Sequence, residues 1–288
     1  SVCAMLLFLP CSGVLSKLAM LTVPDSAEEA QELSMPVLDE RLFKSPAVAL
    51  QQAKSAVVKM SRRAARNVNL AAPLLLKMDE DAVSAIRVRE NLIDRMEVAI
   101  SNYLIKMTDQ ELGDDESHTV TELLNFVTEF ERIGDYAVNI MEKAQEMNEK
   151  KLSFSDKGAQ ELEVYSRAVR DIMNMSIEAF KNDDIHLARQ VEPLEEVIDY
   201  LNDELKQRHV RRLRSGECSV ELGFVLSDIT INYERVADHC SNLAVDLLRI
   251  HENVFDVHEY LEGLKENKDA AFREAYQKDK AVYALPQS

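Results

Sequence analysis

Tryptophan is absent from this 288-residue chain, and glycine and proline occur only seven times each. Glycine and proline mark turns and interrupt regular structure, so their scarcity predicts few and long elements. No long segment alternates apolar and polar residues with the period of two that a half-buried strand requires. Helix-forming residues such as Ala, Leu, Glu, Lys and Met dominate instead, and the sequence therefore predicts an all-α protein.

Paired cysteines and a net positive charge are also absent from the sequence. Cys3, Cys11, Cys218 and Cys240 form no Cys-x-x-Cys pair, which argues against a zinc knuckle or a disulfide framework. The formal net charge of -17 would repel a phosphate backbone, so we expect no nucleic-acid partner. The Glu-x-x-His pairs of di-iron carboxylate bundles do not occur in the sequence, so we do not expect an enzyme of that class.

The most apolar segment lies at the beginning of the chain, over residues 1–23, where Lys17 is the only charged residue. A transmembrane helix needs about 20 mainly apolar residues, and no basic region precedes the segment as it would in a signal peptide. We interpret residues 1–23 as the end of a transmembrane segment and the following residues 24–44 as a connector. Because Pro10 and Gly13 interrupt the apolar run, a buried amphipathic helix is the alternative.

An internal duplication is the most informative feature of the sequence. Residues 129–140 (EFERIGDYAVNI) resemble residues 232–243 (NYERVADHCSNL), and an apolar stripe with steps of three and four residues recurs around both, which predicts helices. The polar residues that recur at a distance of 103 are Glu131, Arg132, Asp135 and Asn139, which become Glu234, Arg235, Asp238 and Asn242. A weaker match 105 residues apart aligns Glu90 and Asp94 with Glu195 and Asp199.

Each repeat is predicted to contain three helices. The predicted helices cover residues 46–77, 82–111 and 117–150, then 156–181, 185–214 and 218–252, with a last helix over 256–280. Short connections make neighbouring helices antiparallel, so we expect tandem antiparallel three-helix bundles. The first unit is assigned to residues 45–152, the second to 153–254, and the C-terminal helix with its tail to 255–288.

Four Glu-x-x-x-Asp pairs result from the duplication. They are Glu90/Asp94, Glu131/Asp135, Glu195/Asp199 and Glu234/Asp238. Acids four residues apart project from the same side of a helix, and antiparallel packing would bring two pairs together in each unit. Oxygen ligands suit Mg²⁺, Mn²⁺ or Ca²⁺ and also hold iron, so the pattern favours a metal site. The alternative is that arginines and lysines pair with these acids on a solvated surface.

The motif ERIGD at residues 131–135, with ERVAD at residues 234–238, resembles the PhoU family. That family is a tandem of three-helix bundles, and some members bind multinuclear metal clusters through paired Glu/Asp-x-x-x-Asp motifs. The resemblance implies Mg, Mn, Fe or Zn as the metal. The implied ligands are Glu131, Asp135, Glu234 and Asp238, followed by Glu90, Asp94, Glu195 and Asp199.

The flanking segments are similar to those of bacterial sodium/phosphate cotransporters. Residues 38–60 (LDERLFKSPAVALQQAKSAVVKM) resemble the junction between the membrane and PhoU-like portions, and residues 6–18 and 255–286 resemble the last membrane segment and the C-terminus. We therefore interpret the chain as a fragment, the PhoU-like regulatory portion of a sodium:phosphate symporter. This interpretation implies a plasma-membrane protein whose helical domain lies on the cytoplasmic side.

The expected partners under this interpretation are the protein's own upstream transmembrane domain, with phosphate and sodium as the transported ions. A homodimer is compatible with it, and no enzymatic activity is expected. The alternative is a freestanding PhoU-type regulator of phosphate uptake or signalling that acts by protein–protein interaction. The two hypotheses share the fold and the metal residues, and they differ in attachment to the membrane.

Overall fold

A computed structural model describes residues 33–252 and 270–286 of the chain, and within these two ranges the regular elements are helices with no strand. The prediction of an all-α fold is confirmed. The helices are α1 (Pro46–Leu74), α2 (Glu80–Met107), α3 (Asp114–Glu149), α4 (Asp156–Asn182), α5 (Ile185–Ala188), α6 (Val191–Arg214), α7 (Val220–Glu252) and α8 (Ala270–Val282). The predicted membrane segment, residues 1–23, lies outside the described residues.

Helix starts follow local sequence signals. Pro46 occupies the first turn of α1, where its missing N–H leaves no hydrogen bond unmade. The Asp79 carboxylate accepts a hydrogen bond from the backbone N–H of Asp81 at 3.0 Å, which caps α2. The Ser155 hydroxyl accepts one from the backbone N–H of Gly158 at 3.3 Å, which caps α4. Pro46 and the Ser155 cap explain why the predicted starts of α1 and α4 coincide with the observed ones.

The helices form two sets of three within the compact unit Pro36–Ser288. In the first set α1, α2 and α3 pack against one another, and in the second set α4, α6 and α7 do so. Equivalent apolar residues fill both interiors, since Ile93 and Ile133 in the first set correspond to Ile198 and Val236 in the second, all buried. The domain limits at 45–152 and 153–254 stay a prediction.

The two sets meet along α3 and α7, which run antiparallel to each other. Asn139 Nδ2 donates a hydrogen bond to Asn232 Oδ1 at 3.1 Å, and Asn242 Nδ2 donates one to Glu129 Oε2 at 3.4 Å. Asn139 and Asn242, the two donors, are equivalent residues of the two repeats, because 103 residues separate them. Glu129 and Asn232, the two acceptors, are equivalent for the same reason. The pairing is therefore symmetric, and we call this polar contact the inter-repeat seam.

An aromatic pair marks the centre of the inter-repeat seam. Tyr136 and His239 occupy equivalent positions in the two repeats, and their rings stack with centroids 5.5 Å apart. His239 Nδ1 also lies 2.5 Å from Glu129 Oε2. Equivalent residues contact each other where a two-fold axis relates two copies. An approximate two-fold axis therefore passes close to this ring pair.

The helix predicted over residues 185–214 is divided into α5 and α6. Pro193 is the third residue of α6, and in an unbroken helix its ring would clash with the carbonyl of Arg189. Helix α5 therefore ends at Ala188, two turn residues follow, and α6 begins at Val191. The other predicted helix ends within the two repeats agree with the observed ones to within four residues.

Only the later part of the predicted C-terminal helix lies within the described residues. It was predicted over residues 256–280 and is observed as α8, while residues 253–269 lie outside the described residues. Helix α8 packs on α6, where Lys280 Nζ lies 3.6 Å from the centroid of the Tyr200 ring. The Tyr283 hydroxyl then donates a hydrogen bond to the Asp171 carboxylate at 2.7 Å. These contacts attach the end of the chain to the second set of helices.

Candidate metal centre

Carboxylates from two helices converge in the first bundle. Glu90 and Asp94 extend from α2 and Asp135 extends from α3, and one carboxylate oxygen of each lies within 4.8 Å of the other two. Two oxygens on opposite sides of a divalent cation bound at 2.0–2.6 Å are about 4–5 Å apart. The spacing therefore fits a cation between the helices. The sequence correctly placed these three acids together, while their role as ligands stays a prediction.

No Lys or Arg that the structure describes forms an ion pair with this cluster, and the charges of Arg87 and Arg132 offset its repulsion only in part. Glu131 lies one turn before Asp135, and no ion pair among the described residues involves Glu90, Asp94, Glu131 or Asp135. Burial, followed by the charge of Asp94, raises the pKa of Glu90 and of Asp135. Burial, followed by the charge of Asp135, raises the pKa of Glu131. Such raised pKa values indicate a place where positive charge would be favourable.

A glycine in the motif permits the close approach of the two helices. Gly134 precedes Asp135 on α3, and a Cβ atom added to Gly134 would lie 3.3 Å from Ile93 Cδ1 on α2. Since Ile93 precedes Asp94, the glycine lies beside the acids that converge. The second repeat has Ala237 at the equivalent position.

The equivalent acids of the second bundle are arranged differently. The Glu234 carboxylate accepts a hydrogen bond from Asn202 Nδ2 at 2.5 Å, and Asp238 Oδ2 lies 3.4 Å from Arg235 Nη1. Glu195 is buried whereas Asp199 is exposed. Over the described ranges, no second group of three metal-ligating side chains within 4.8 Å is formed. The predicted convergence is therefore seen in the first repeat and not in the second, because an amide and a guanidinium partner the acids there.

Sequence reasoning missed Glu97 as a neighbour of the first cluster. Glu97 lies one turn after Asp94 on α2, and its charge contributes to the raised pKa of Glu131. The equivalent residue in the second repeat, 105 positions later, is Asn202, which donates the hydrogen bond to Glu234. The signal available in the sequence was that Glu97 follows Asp94 by three residues, which places both on the same side of α2. A carboxylate in one repeat and an amide in the other thus make the two sites chemically different.

A buried ion-pair network lies further along the second bundle. Glu161 is 2 % exposed, and its carboxylate oxygens lie 3.1 Å from Arg208 Nη1 and 2.8 Å from Arg212 Nη1. Arg208 Nη1 also donates a hydrogen bond to the carbonyl oxygen of Pro286 at 2.6 Å. These arginines therefore hold α4, α6 and the end of the chain together.

Comparison with known proteins identifies the repeats. Residues 57–144 and 162–247 match the PhoU domain, and together they make up more than half of the chain. The chain is 28% identical over 220 residues to the phosphate-specific transport system accessory protein PhoU homolog 1 of Thermotoga maritima, covering 76% of this chain and 93% of that protein. It is 25% identical over 198 residues to the PhoU homolog of Aquifex aeolicus, covering 68% and 86%.

Solved structures show the same fold. PhoU from Pseudomonas aeruginosa superposes with a TM-score of 0.67 at 19% identity, covering 74% of this chain and 100% of that chain. The phosphate transport system regulatory protein PhoU from Streptococcus pneumoniae superposes with a TM-score of 0.66 at 16% identity, covering 74% and 99%. At these identities the likeness establishes the fold.

The comparisons also correct the membrane part of the sequence interpretation. The predictions of sodium:phosphate symport, of a plasma-membrane location and of a covalently attached upstream transporter domain are wrong. The relatives, matched over 93% and 86% of their own length, are accessory proteins of a phosphate-specific transport system. In the part of the chain that the structure describes, no helix is long and apolar enough to cross a bilayer. Since both repeats match, the chain belongs to the PhoU domain family.

Proposed function

We propose that this protein is a PhoU-type accessory protein that regulates phosphate uptake or phosphate signalling by binding other proteins, without catalysing a reaction. The observation that carries the proposal is the alignment with the Thermotoga maritima accessory protein over 93% of its length, with both PhoU repeats present. The acid cluster also supports it, because Asp94 and Asp135 lie exposed on the helix surface. Covalent chemistry generally uses a concave site that excludes water.

An exposed apolar stripe on α7 suits contact with a partner protein. Val220, Phe224 and Ile231 lie on one face of α7 and are 58%, 70% and 44% exposed. The equivalents of Val220 and Phe224 on α3 are Ser117 and Thr121, which are polar. Contiguous exposed apolar side chains commonly mark interaction sites. The two repeats therefore differ in the surface that they offer to a partner.

Reconstitution tests this function directly. The phosphate-specific transporter of the same organism is placed in lipid vesicles, and phosphate uptake is measured with and without the full-length protein. We expect the protein to change the uptake rate, and we expect Phe224→Thr to weaken that effect. Val88→Thr, an exposed apolar residue on α2, serves as the matched control and should behave like the parent protein. An uptake rate that is unaffected by saturating protein would refute the proposal.

We further propose that the first bundle binds a divalent or transition-metal ion, drawn from Mg, Mn, Fe and Zn, and that the second bundle binds one more weakly. In the first bundle the cation would offset the repulsion among acids that form no ion pair with any described Lys or Arg and that Arg87 and Arg132 compensate only in part. In the second bundle Asn202 and Arg235 already satisfy two of the acids, which lowers the gain from a cation. The proposed ligands are Glu90, Asp94, Glu131 and Asp135 in the first bundle, and Glu195, Asp199, Glu234 and Asp238 in the second.

Elemental analysis of the purified full-length protein tests the metal proposal. We expect close to stoichiometric metal in the parent protein, a strong loss in Asp135→Asn, and little change in Asp238→Asn. The second variant is the matched control, because it removes the same charge from the equivalent position. A parent protein that holds no metal after mild purification, and is not stabilised by any of the four ions, would end this proposal.

A further inference from the structure

An exposed stripe on α6 runs beside the apolar stripe of α7. Asp203, Val210 and Arg214 are spaced by seven and four residues, so they lie on one side of α6. Val210 is 45% exposed, and Asp203 and Arg214 are exposed as well. The apolar stripe of α7 has spacings of four and seven residues. Each helix therefore presents to solvent a stripe that is about 16 Å long.

The two stripes lie on the same side of the helix pair. Buried His209 of α6 contacts α7 at Gly223, where an added Cβ atom would lie 2.8 Å from His209 Nε2. In two antiparallel right-handed helices, the residues that follow two contacting residues turn to the same side of the pair. Val210 follows His209 and Phe224 follows Gly223, so both side chains project from one surface. We call this surface the α6–α7 face, and its residues are Asp203, Val210 and Arg214 of α6 with Val220, Phe224 and Ile231 of α7.

The charge along the α6–α7 face changes sign. Arg211 and Arg214 are exposed at the end of α6 that leads to α7, whereas Asp199 and Asp203 are exposed two to three turns earlier. Asp203 and Arg214 are about 16 Å apart along the helix axis. This separation exceeds the Debye length of about 8 Å at physiological ionic strength. The basic end and the acidic end can therefore attract different charges of one ligand.

The first repeat does not reproduce this surface. Asp203 and Arg214 correspond to Val98 and Asp109, 105 residues earlier, so the acid and the base are both replaced. On α3 the equivalent of Phe224 is Thr121, whose hydroxyl donates a hydrogen bond to the carbonyl oxygen of Ser117 at 3.1 Å. The α6–α7 face is thus a property of the second repeat, and the shared fold does not require it.

The chemistry of the α6–α7 face favours a helix as its ligand. Its exposed acids would repel anionic lipid head groups, and the net charge of -17 opposes the approach of a second copy of the chain. Within the described ranges there is no strand to whose edge an extended peptide could be added. A pair of antiparallel helices accepts a third helix in its groove, as α4 does where it packs against α6 and α7.

We propose that the α6–α7 face binds an amphipathic helix of a partner protein, with its acidic N-terminal end against Arg211 and Arg214 and its basic C-terminal end against Asp199 and Asp203. The proposal rests on the function proposed above and specifies the chemistry of the partner segment. Phe224 is 70% exposed and is the central apolar contact. Acids near the N-terminus and bases near the C-terminus also complement the dipole of the partner helix itself. The charges therefore fix the direction in which that helix binds.

Photo-cross-linking from the α6–α7 face tests this proposal. The full-length protein with Phe224→p-benzoylphenylalanine is combined with the phosphate-specific transporter of the same organism in lipid vesicles and irradiated, and mass spectrometry identifies the cross-linked peptide. We expect a helical segment of the transporter that has an apolar stripe, acids at its N-terminal end and Lys or Arg at its C-terminal end. Val98→p-benzoylphenylalanine, at a position 55% exposed on α2, is the matched control and should give little cross-linked product.

Two added substitutions separate the apolar contact from the charges. With the cross-linker in place, Val210→Thr should lower the yield at sub-saturating protein by about 5- to 10-fold at any salt concentration, because it removes an apolar contact. Asp203→Lys should lower the yield by about as much at low salt and by less at high salt, because ions screen its repulsion of the basic end. Ile105→Thr and Val98→Lys introduce the same residues at the equivalent positions of the first bundle and should leave the yield unchanged.

The cross-linked product and the uptake rate report on different claims. A cross-link to a second copy of this chain, to lipid, or to a segment without the charged ends would overturn the proposed ligand of the α6–α7 face. The absence of a cross-link while the protein still changes phosphate uptake would overturn it as well and would leave the regulatory function standing. An uptake rate that does not respond to the protein contradicts the regulatory function, whereas the expected cross-link would still support the face as a binding surface. A yield that Asp203→Lys does not change at low salt would refute the role of the charges.

Discussion

Replacement of Asp135 by asparagine should stabilise the metal-free protein and weaken its response to metal. The Asp135 carboxylate lies within 4.8 Å of Glu90 and Asp94, and among the described residues it forms no ion pair. Asparagine has nearly the same volume and keeps an oxygen atom, but it carries no charge. The change therefore removes repulsion without disturbing the packing of α2 against α3.

The magnitude follows from the separation of the charges. Two unit charges 4.8 Å apart repel by about 0.9 kcal/mol in water and by about 3.5 kcal/mol at an effective dielectric constant near 20. Because Asp94 and Asp135 are exposed, the lower value applies to each of the two neighbours of Asp135. We expect Asp135→Asn to increase the free energy of unfolding by about 1–2 kcal/mol, or to raise Tm by about 2–8 °C.

The effect of pH has a definite sign. The pKa values of Glu90, Glu131 and Asp135 are raised in the folded protein, so the folded state binds these protons more tightly than the unfolded chain. The contribution of these groups to stability is fully present below their unfolded pKa values and is lost as the pH rises through the folded ones. The advantage of Asp135→Asn should therefore be largest near pH 7 and shrink towards pH 4.

Urea unfolding followed by circular dichroism measures these changes, first with EDTA and then with metal. A cation at 100 times its dissociation constant adds about 2.7 kcal/mol to the parent protein, and the variant should lose most of this gain. Asp238→Asn is the control, and loss of its weak pair with Arg235 should cost less than about 1 kcal/mol. The reasoning fails if Asp135→Asn is less stable than the parent in EDTA at pH 7, or if the difference does not depend on pH.

Two further substitutions test the packing near the sites. Gly134→Ala places a methyl group 3.3 Å from Ile93 Cδ1. The overpacking cost of about 1–3 kcal/mol is partly offset by about 1 kcal/mol from the higher helix propensity of alanine. We therefore expect a titration to show a clear fall in metal affinity and unfolding to show a smaller fall in stability. Glu161→Ala leaves Arg208 and Arg212 without their buried partner and should lower the free energy of unfolding in urea by about 3–5 kcal/mol.

Each substitution has a control in the chain. Ala237→Gly, at the equivalent position in the second repeat, should leave the metal affinity of the first bundle unchanged. Unaltered affinity in Gly134→Ala would show that the spacing of α2 and α3 does not govern the cluster. Glu221→Ala removes an exposed partner of Lys150 at 3.1 Å and should cost less than about 1 kcal/mol. If Glu161→Ala lowers the free energy of unfolding by as little as Glu221→Ala does, the buried network does not stabilise the protein as proposed.

Much of the fold could be predicted because its signals are local. Ser45 and Pro46 mark the start of α1, and the apolar period of α3 and α7 repeats with a constant offset. The break between α5 and α6 was missed although Pro193 signals it, because proline is also tolerated in the first turn of a helix. The observed start of α6 at Val191 shows that Pro193 lies in the first turn of a new helix and not in the interior of a continuous one.

The difference between the two acid clusters could not be predicted from spacing. All four Glu-x-x-x-Asp pairs have the same period, but convergence depends on contacts between helices. Gly134 brings two helices together in the first bundle, whereas Asn202 and Arg235 partner the acids in the second. These contacts join residues that are far apart in the sequence or that have many alternative partners.

The predicted connector illustrates how a flanking segment misled the interpretation. The end of that segment forms a 3-10 turn at Glu40–Lys44, and Phe43 packs against Tyr103 of α2 with ring centroids 4.9 Å apart. The backbone N–H of Asp39 also donates a hydrogen bond to Gln52 of α1 at 2.9 Å. Asp39 and Phe43 of the predicted connector therefore contact the first bundle.

The symmetric contact of Tyr136 with His239 means that the chain resembles a dimer whose two subunits share one polypeptide. Such a tether holds each half at an effective concentration on the order of millimolar around the other, so their association does not depend on the abundance of the protein. It also frees each half to evolve alone, which identical subunits cannot do. One half presents an open group of carboxylates, while the other holds a buried imidazole beside a thiol.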